Sequence, residues 1–170
     1  MNLFEKACSD ADFMDDMKLR RGYGEVYHLI LEHLGTSIPV IELGVGGGSS
    51  HVRWVHATSG PVIGLEIAGP EREKCTASLF TGDNNIYDRQ IEIANLAVEA
   101  FSKLPQDKQQ QLDIRFYTDA HDPQNARAVK QKYDHLPFIV NDSKHAPHLH
   151  RLFREAWGDI VSDNGILVQE

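Results

Sequence analysis

Ile38-Pro39-Val40-Ile41-Glu42-Leu43-Gly44-Val45-Gly46-Gly47-Gly48-Ser49-Ser50 runs from a short apolar segment straight into a glycine-rich turn. The first half reads as a buried strand, because a brief apolar run bounded by Gly35 and by the glycines is too short for a core helix. A helix through Trp54 and Val55 is expected after it. Glycine lets a backbone turn tightly and approach a ligand with no Cβ in the way. The same residues also serve a plain strand-to-helix turn, so their context has to decide.

Outward from this stretch the chain alternates. Upstream, Tyr23 to Leu34 places Val26, Tyr27, Ile30, Leu31 and Leu34 on one helical face, and Gly35 stops the helix. Residues 1–20 mix acids with Phe4, Phe13, Met14 and Met17 and read as one or two short helices. Downstream, strands are expected over 62–67, 114–119, 138–142 and 166–170. Helices are expected over 88–104, 123–133 and 148–160, with a long excursion over 68–85. Strands alternating with helices make βαβ units and a largely parallel sheet. Trp54 and Trp157 are read as core anchors.

In open sheets of this kind ligands bind outside the carboxyl ends of the strands. Glu66 ends the second expected strand and can accept the hydroxyls of a ribose; its plain alternative is a solvated strand-end acid. Asp119 ends the third and can accept from an adenine amino group. With the glycine turn, three strand ends carry the parts of an adenosine site. A dinucleotide such as NAD shares this much, but its fingerprint is G-x-G-x-x-G. Here Gly44, Gly46 and Gly48 fall at alternate positions, with Glu42 two residues before the first.

Composition excludes several classes. The 170 residues carry 25 acidic against 17 basic side chains, a formal charge of −8, which argues against general nucleic-acid binding. No apolar run approaches the roughly 20 residues that span a bilayer, and the amino terminus has no signal-peptide core. Cys8 and Cys75 stand far apart, so neither a zinc site nor a structural disulfide is expected and a cytoplasmic location is the default.

The E-x-G-x-G-x-G form of Glu42 to Gly48 resembles the first motif of class I methyltransferases, which implies S-adenosylmethionine as cofactor. Within them the chain is similar to the metal-dependent sugar O-methyltransferases of macrolide biosynthesis and the related cephalosporin hydroxylase-like proteins. Arg21-Gly22-Tyr23-Gly24-Glu25-Val26-Tyr27, Ile41 to Ser49, Asn141-Asp142-Ser143-Lys144-His145 and Gly165 to Glu170 carry the likeness. It implies a Rossmann-like three-layer α/β sandwich, mostly parallel, with strand order 3-2-1-4-5. Residues 1–36 would form a helical segment covering the cofactor cleft, and 37–170 the cofactor-binding domain. It assigns the cofactor to Glu42, Gly44, Gly46, Gly48, Ser49, Glu66, Asp119, Ala120 and Asn141. It further assigns Mg²⁺ to Asp142 and Glu170, and the general base to His145. The implied reaction is O-methylation of a sugar or other small-molecule hydroxyl.

Three departures accompany the likeness. Asn141 replaces an acid, Ser143-Lys144 replaces Gly-Ser, and the sequence stops at Glu170, before the last two strands of a complete methyltransferase domain. They support an alternative expectation, a non-catalytic S-adenosylmethionine-binding or assembly module without the acceptor half. The stop also leaves the fifth strand as a sheet edge, where self-association or a partner chain is expected.

Overall fold

Five strands of four residues each build the sheet: β1 Val40–Leu43, β2 Val62–Leu65, β3 Leu112–Arg115, β4 Phe138–Asn141 and β5 Ile166–Gln169. The computed structural model describes residues 23–75, 84–143 and 146–169. The helices expected over residues 1–20 lie outside them. Every pairing is parallel and the order is β3-β2-β1-β4-β5. Val40 pairs with both Val62 and Phe138, so β1 is the centre from which the chain winds outward in two directions.

The helices are α1 Tyr23–Leu34, α2 Ser49–Ala57, α3 Asn84–Ser102, a short α4 Gln106–Gln109, α5 Pro123–Tyr133 and α6 Pro147–Trp157. Strands β1, β2 and β4 are buried along their whole length, which is why they read as continuous apolar runs rather than alternating ones. Alternate residues still go to opposite layers. Val40, Val62, Phe138 and Val140 pack with Tyr27, Ile30 and Leu31 of α1 and with Val52, Trp54 and Val55 of α2. Ile41, Leu43, Ile63, Leu65 and Ile139 pack with Ala126 and Val129 of α5 and with Phe153, Ala156 and Trp157 of α6. The result is a three-layer sandwich, and each fully buried large apolar side chain adds about 1.5–3 kcal/mol.

The two tryptophans anchor one layer each. Trp54 meets Tyr27 and Phe138 edge-on, with ring centroids 4.9 and 5.5 Å apart, and its Nε1–H donates to Glu42 at 2.8 Å. Trp157 donates its Nε1–H to the Ala120 carbonyl at 2.8 Å, tying α6 to the loop after β3. Each indole thus buries an apolar body while its polar edge finds an acceptor. None of the described helices is long and apolar enough to cross a membrane.

The third strand departs from expectation. It covers Leu112–Arg115 rather than 114–119, because the chain turns at Tyr117, whose φ is +59°. The Tyr117 ring lies over Gly69, where an added Cβ would come within 2.2 Å of it, and its hydroxyl accepts from the Glu71 N–H at 2.7 Å. Asp119 therefore sits in a turn beyond β3, not at the strand's last position. Helix α3 begins at Asn84, four residues before its expected start, and α4 was not anticipated.

Asp113 fastens the outer strand β3 to α5. Its Oδ2 accepts from Arg115 Nη2 at 2.8 Å, Tyr133 Oη at 2.9 Å and Lys132 Nζ at 3.2 Å. Burial pushes the Asp113 carboxyl up, but hydrogen bonds from Arg115, Tyr133 and Lys132 together outweigh it and hold the group below its ordinary value. A carboxyl depressed in the folded state stabilises the fold above its unfolded value, near 3.9, and loses that contribution as pH falls through the lower folded value. Urea denaturation between pH 5 and pH 2 should therefore show stability falling in the wild type. Asp113→Asn should be less stable at pH 5 and should flatten that part of the profile; an unchanged slope would remove Asp113 as its source.

Candidate functional site

The glycine turn begins where three strand ends are locked together. Gly44 has φ +94°, donates its N–H to the Leu65 carbonyl at 2.9 Å, and lies so near β4 that a Cβ would stand 2.8 Å from the Asp142 carbonyl oxygen. Asp142 in turn donates its N–H to the Leu43 carbonyl at 3.0 Å. Only glycine combines that backbone angle with that approach. Beyond it the turn opens outward. Gly46, at φ +51°, and Gly47 have no atom within 4 Å of where a Cβ would be. Gly48 donates its N–H to the Val45 carbonyl at 2.9 Å, and Ser49 starts α2.

Glu66, one residue past β2, holds this turn. Its Oε2 accepts from the N–H groups of Val45 at 3.0 Å and Gly46 at 3.2 Å, and its Oε1 from the Ala68 N–H at 3.2 Å. A carboxylate offers about four acceptor directions. Three are used by backbone, so Oε1 keeps room for one further donor.

Glu42, another expected cofactor residue, ends fully buried in the layer of Trp54. It accepts from Trp54, and His51 Nδ1 of α2 lies 3.7 Å from the same oxygen. His51 fills the space that Gly64 leaves on β2, where a Cβ would come within 2.6 Å of Nε2. This carboxylate braces the turn from below.

At the same edge of the sheet, the loops after β3 and β4 are joined by side chains. Asp119 Oδ1 accepts from the His121 N–H at 2.8 Å, and the His121 ring presents Nδ1 to the same oxygen at 3.4 Å. His121 Nε2 is 3.4 Å from Ser143 Oγ, and Ser143 donates its hydroxyl to Asn141 Oδ1 at 2.6 Å and its N–H to the same atom at 3.2 Å. Asn141 ends β4 and is nearly buried, whereas the Asp119 side chain is 43% exposed. Ala120 lies between them, buried, with its carbonyl held by Trp157.

The expected cofactor residues Gly44, Gly46, Gly48, Ser49, Glu66, Asp119, Ala120 and Asn141 all fall at this carboxyl edge of the sheet, in the turns and strand ends that follow β1 to β4. His145 and Glu170 lie outside the described residues. Asp142 is half-buried after β4. Among the described residues no group of three or more His, Cys, Asp or Glu stands close enough to hold a metal ion. His121 escaped sequence reading: it follows the expected Asp119-Ala120 pair, but its partner Ser143 is 22 residues away.

No protein-family profile matches the chain. No curated protein matches its sequence. Solved structures do. The MycE methyltransferase from the mycinamycin biosynthetic pathway, in complex with Mg and SAH, is 18% identical with a TM-score of 0.60 over 100% of this chain and 39% of its own. The same enzyme with Mg, SAH and mycinamycin VI gives 18% and 0.60, over 37% of its length. The chain thus spans about two-fifths of the enzyme it resembles. The likeness is one of architecture: a five-stranded parallel sheet in the order 3-2-1-4-5, flanked by helices, which is the Rossmann-like fold of a methyltransferase.

Proposed function

We propose that the chain binds S-adenosylmethionine against the Gly44–Gly48 turn and takes part in methyl transfer to a hydroxyl of a sugar or other small molecule. The observation that carries this reading is the meeting at one sheet edge of an open glycine turn, an acid clamped beside it and a second acid in the turn after β3. Gly46 and Gly47 leave a surface without side chains for the ligand backbone to lie on. The fourth acceptor direction of Glu66 takes a ribose hydroxyl, and Asp119, through the oxygen that His121 does not hold, takes the adenine amino group. The alternate-position glycines favour this ligand over NAD. The MycE structures, solved with SAH, support the same reading.

Bound S-adenosylmethionine supplies an electrophilic methyl group on a sulfonium. The chain's task is to orient an acceptor in line and take its proton, and orientation alone can provide much of the rate. His145 is the proposed proton acceptor. Asp142 and Glu170 are the proposed magnesium ligands. The described donors do not by themselves complete such a site, and no step is assigned to it.

A second reading, a binding module without turnover, draws on Asn141. Where the resemblance has a carboxylate, this amide spends its Oδ1 on Ser143.

Calorimetric titration with S-adenosylmethionine, S-adenosylhomocysteine and NAD tests the reading. The two adenosyl ligands should bind, NAD should not, and Gly46→Arg should abolish binding by filling the open side of the turn. Binding of NAD alone, or of none of the three, would overturn the proposal. A radiolabelled methyl-transfer assay over a sugar panel, with and without magnesium, separates the two readings: turnover lost in His145→Ala marks an enzyme, and binding without turnover a module. The control itself should remain folded. Urea denaturation should show Gly46→Ala, strained in φ but unobstructed, costing about 1 kcal/mol. Gly44→Ala, which also meets the Asp142 carbonyl, should cost about 3 kcal/mol or more.

A further inference from the structure

His121 bridges two loops that the cofactor reading uses separately, and nothing in that reading assigns it a part. Its own N–H and its Nδ1 both face Asp119 Oδ1, at 2.8 and 3.4 Å, while Nε2 reaches Ser143 Oγ at 3.4 Å. The ring itself is largely covered, its side chain 13% exposed. Asn125 adds a third tie, donating Nδ2–H to the Asp119 carbonyl at 2.8 Å, so the backbone of Asp119 is fixed as well as its carboxylate. These contacts all fall on Oδ1 or on the main chain. Oδ2 takes none of them, and the side chain is 43% exposed. With Oδ1 taken by the main-chain N–H and backed by the His121 ring, Oδ2 is the oxygen left for a ligand.

We propose that His121 is a positioning residue for base recognition: by packing its ring beside Asp119 Oδ1 and against Ser143, it keeps Asp119 Oδ2 turned toward the exocyclic amino group of adenine. The inference rests on the S-adenosylmethionine reading above and deepens it, naming what makes the site select a 6-amino purine over a 6-oxo one. An amino group donates to Oδ2; an oxo group in its place presents a second acceptor, and two acceptors repel. Discrimination of this kind follows from leaving a site's polar group unpaired, and it requires that the group be held in place.

The experiment compares S-adenosylhomocysteine with its 6-oxo analogue, S-inosylhomocysteine, by calorimetry on the full chain. Wild type should favour the adenine ligand by at least tenfold. His121→Ala and Asp119→Ala should each reduce the preference several-fold or more, and the double variant should lose no more than Asp119→Ala alone. His121→Gln, which keeps a donor and an acceptor on the side chain, should restore part of it. A merely structural role predicts that His121→Ala weakens both ligands equally and leaves the ratio unchanged, and that result would overturn the proposal. So would full additivity in the double variant. Should His121→Ala fail to fold by circular dichroism, the Gln variant and the Asp119 variant still decide: an Asp119→Ala protein with the wild-type ratio sinks the idea. Absence of any adenosyl binding to wild type would be failure of the cofactor reading instead, and is distinguishable on the first titration.

Discussion

The approach of Gly44 to the carbonyl of Asp142 is the constraint on which the rest of the edge depends. β1 is the central strand, hydrogen-bonded on both sides, and its end must pass between β2 and β4 without widening the sheet. The Gly44 N–H binds Leu65 and the Asp142 N–H binds Leu43, so the ladders on the two sides continue one residue beyond the strands themselves. A side chain at Gly44 would push β4 away from a spacing of about 4.8 Å that the ladder requires. The loops carrying Glu66 and Asn141 would then lose their mutual register. This crossing lies where the winding of the sheet reverses, the position at which open α/β sheets bind their ligands.

Below that crossing the protein buries charge-bearing groups, which is costly unless they are paired. Glu42 faces Gly64 on one neighbouring strand and Val140 on the other. The missing side chain of Gly64 is what makes room for His51, and His51 and Trp54 both come to Glu42 from α2. A glycine inside a strand weakens it and often marks a close approach. Here the approach is a helix side chain sinking toward the sheet. The helix that follows the turn is thereby fixed to the strand that precedes it.

This arrangement explains which parts of the molecule could be read from the amino acids alone. The layers were legible because β1, β2 and β4 are uniform apolar runs and the helices between them carry one apolar face. The glycine turn was legible because backbone geometry selects its residue type directly. The third strand was placed too far along because Phe116 and Tyr117 have strand-forming side chains, and only the contact of Tyr117 with Gly69, 48 residues earlier, bends the backbone there. Which way Glu42 faces was not legible, because an acid in a glycine motif looks the same on either side of the strand. Its direction depends on the parity of β1 against Trp54. His121 belongs to the same class: its meaning lies in Asp119 and Ser143 together, and no local pattern encodes a contact between two loops.

Glu66 shows how the fold and the proposed function compete for one group. Its carboxylate already satisfies Val45, Gly46 and Ala68, which leaves a single direction for a ribose bearing two hydroxyls. To take both, Glu66 must release one backbone donor. The three are not equivalent. Val45 is more buried than Gly46, at 4% exposure, so its N–H set free would find less water. Gly46 is exposed and makes one of the two longer bonds, at 3.2 Å. An exposed N–H exchanges a protein acceptor for water at little net cost, whereas a buried one left unsatisfied costs about 1–3 kcal/mol. Gly46 is therefore the donor that yields. On the proposed reading, the residue that would shift for the ligand is also the one with no side chain and no neighbour within 4 Å of its Cβ position, so the turn could give at Gly46 while Val45 keeps it attached to the sheet.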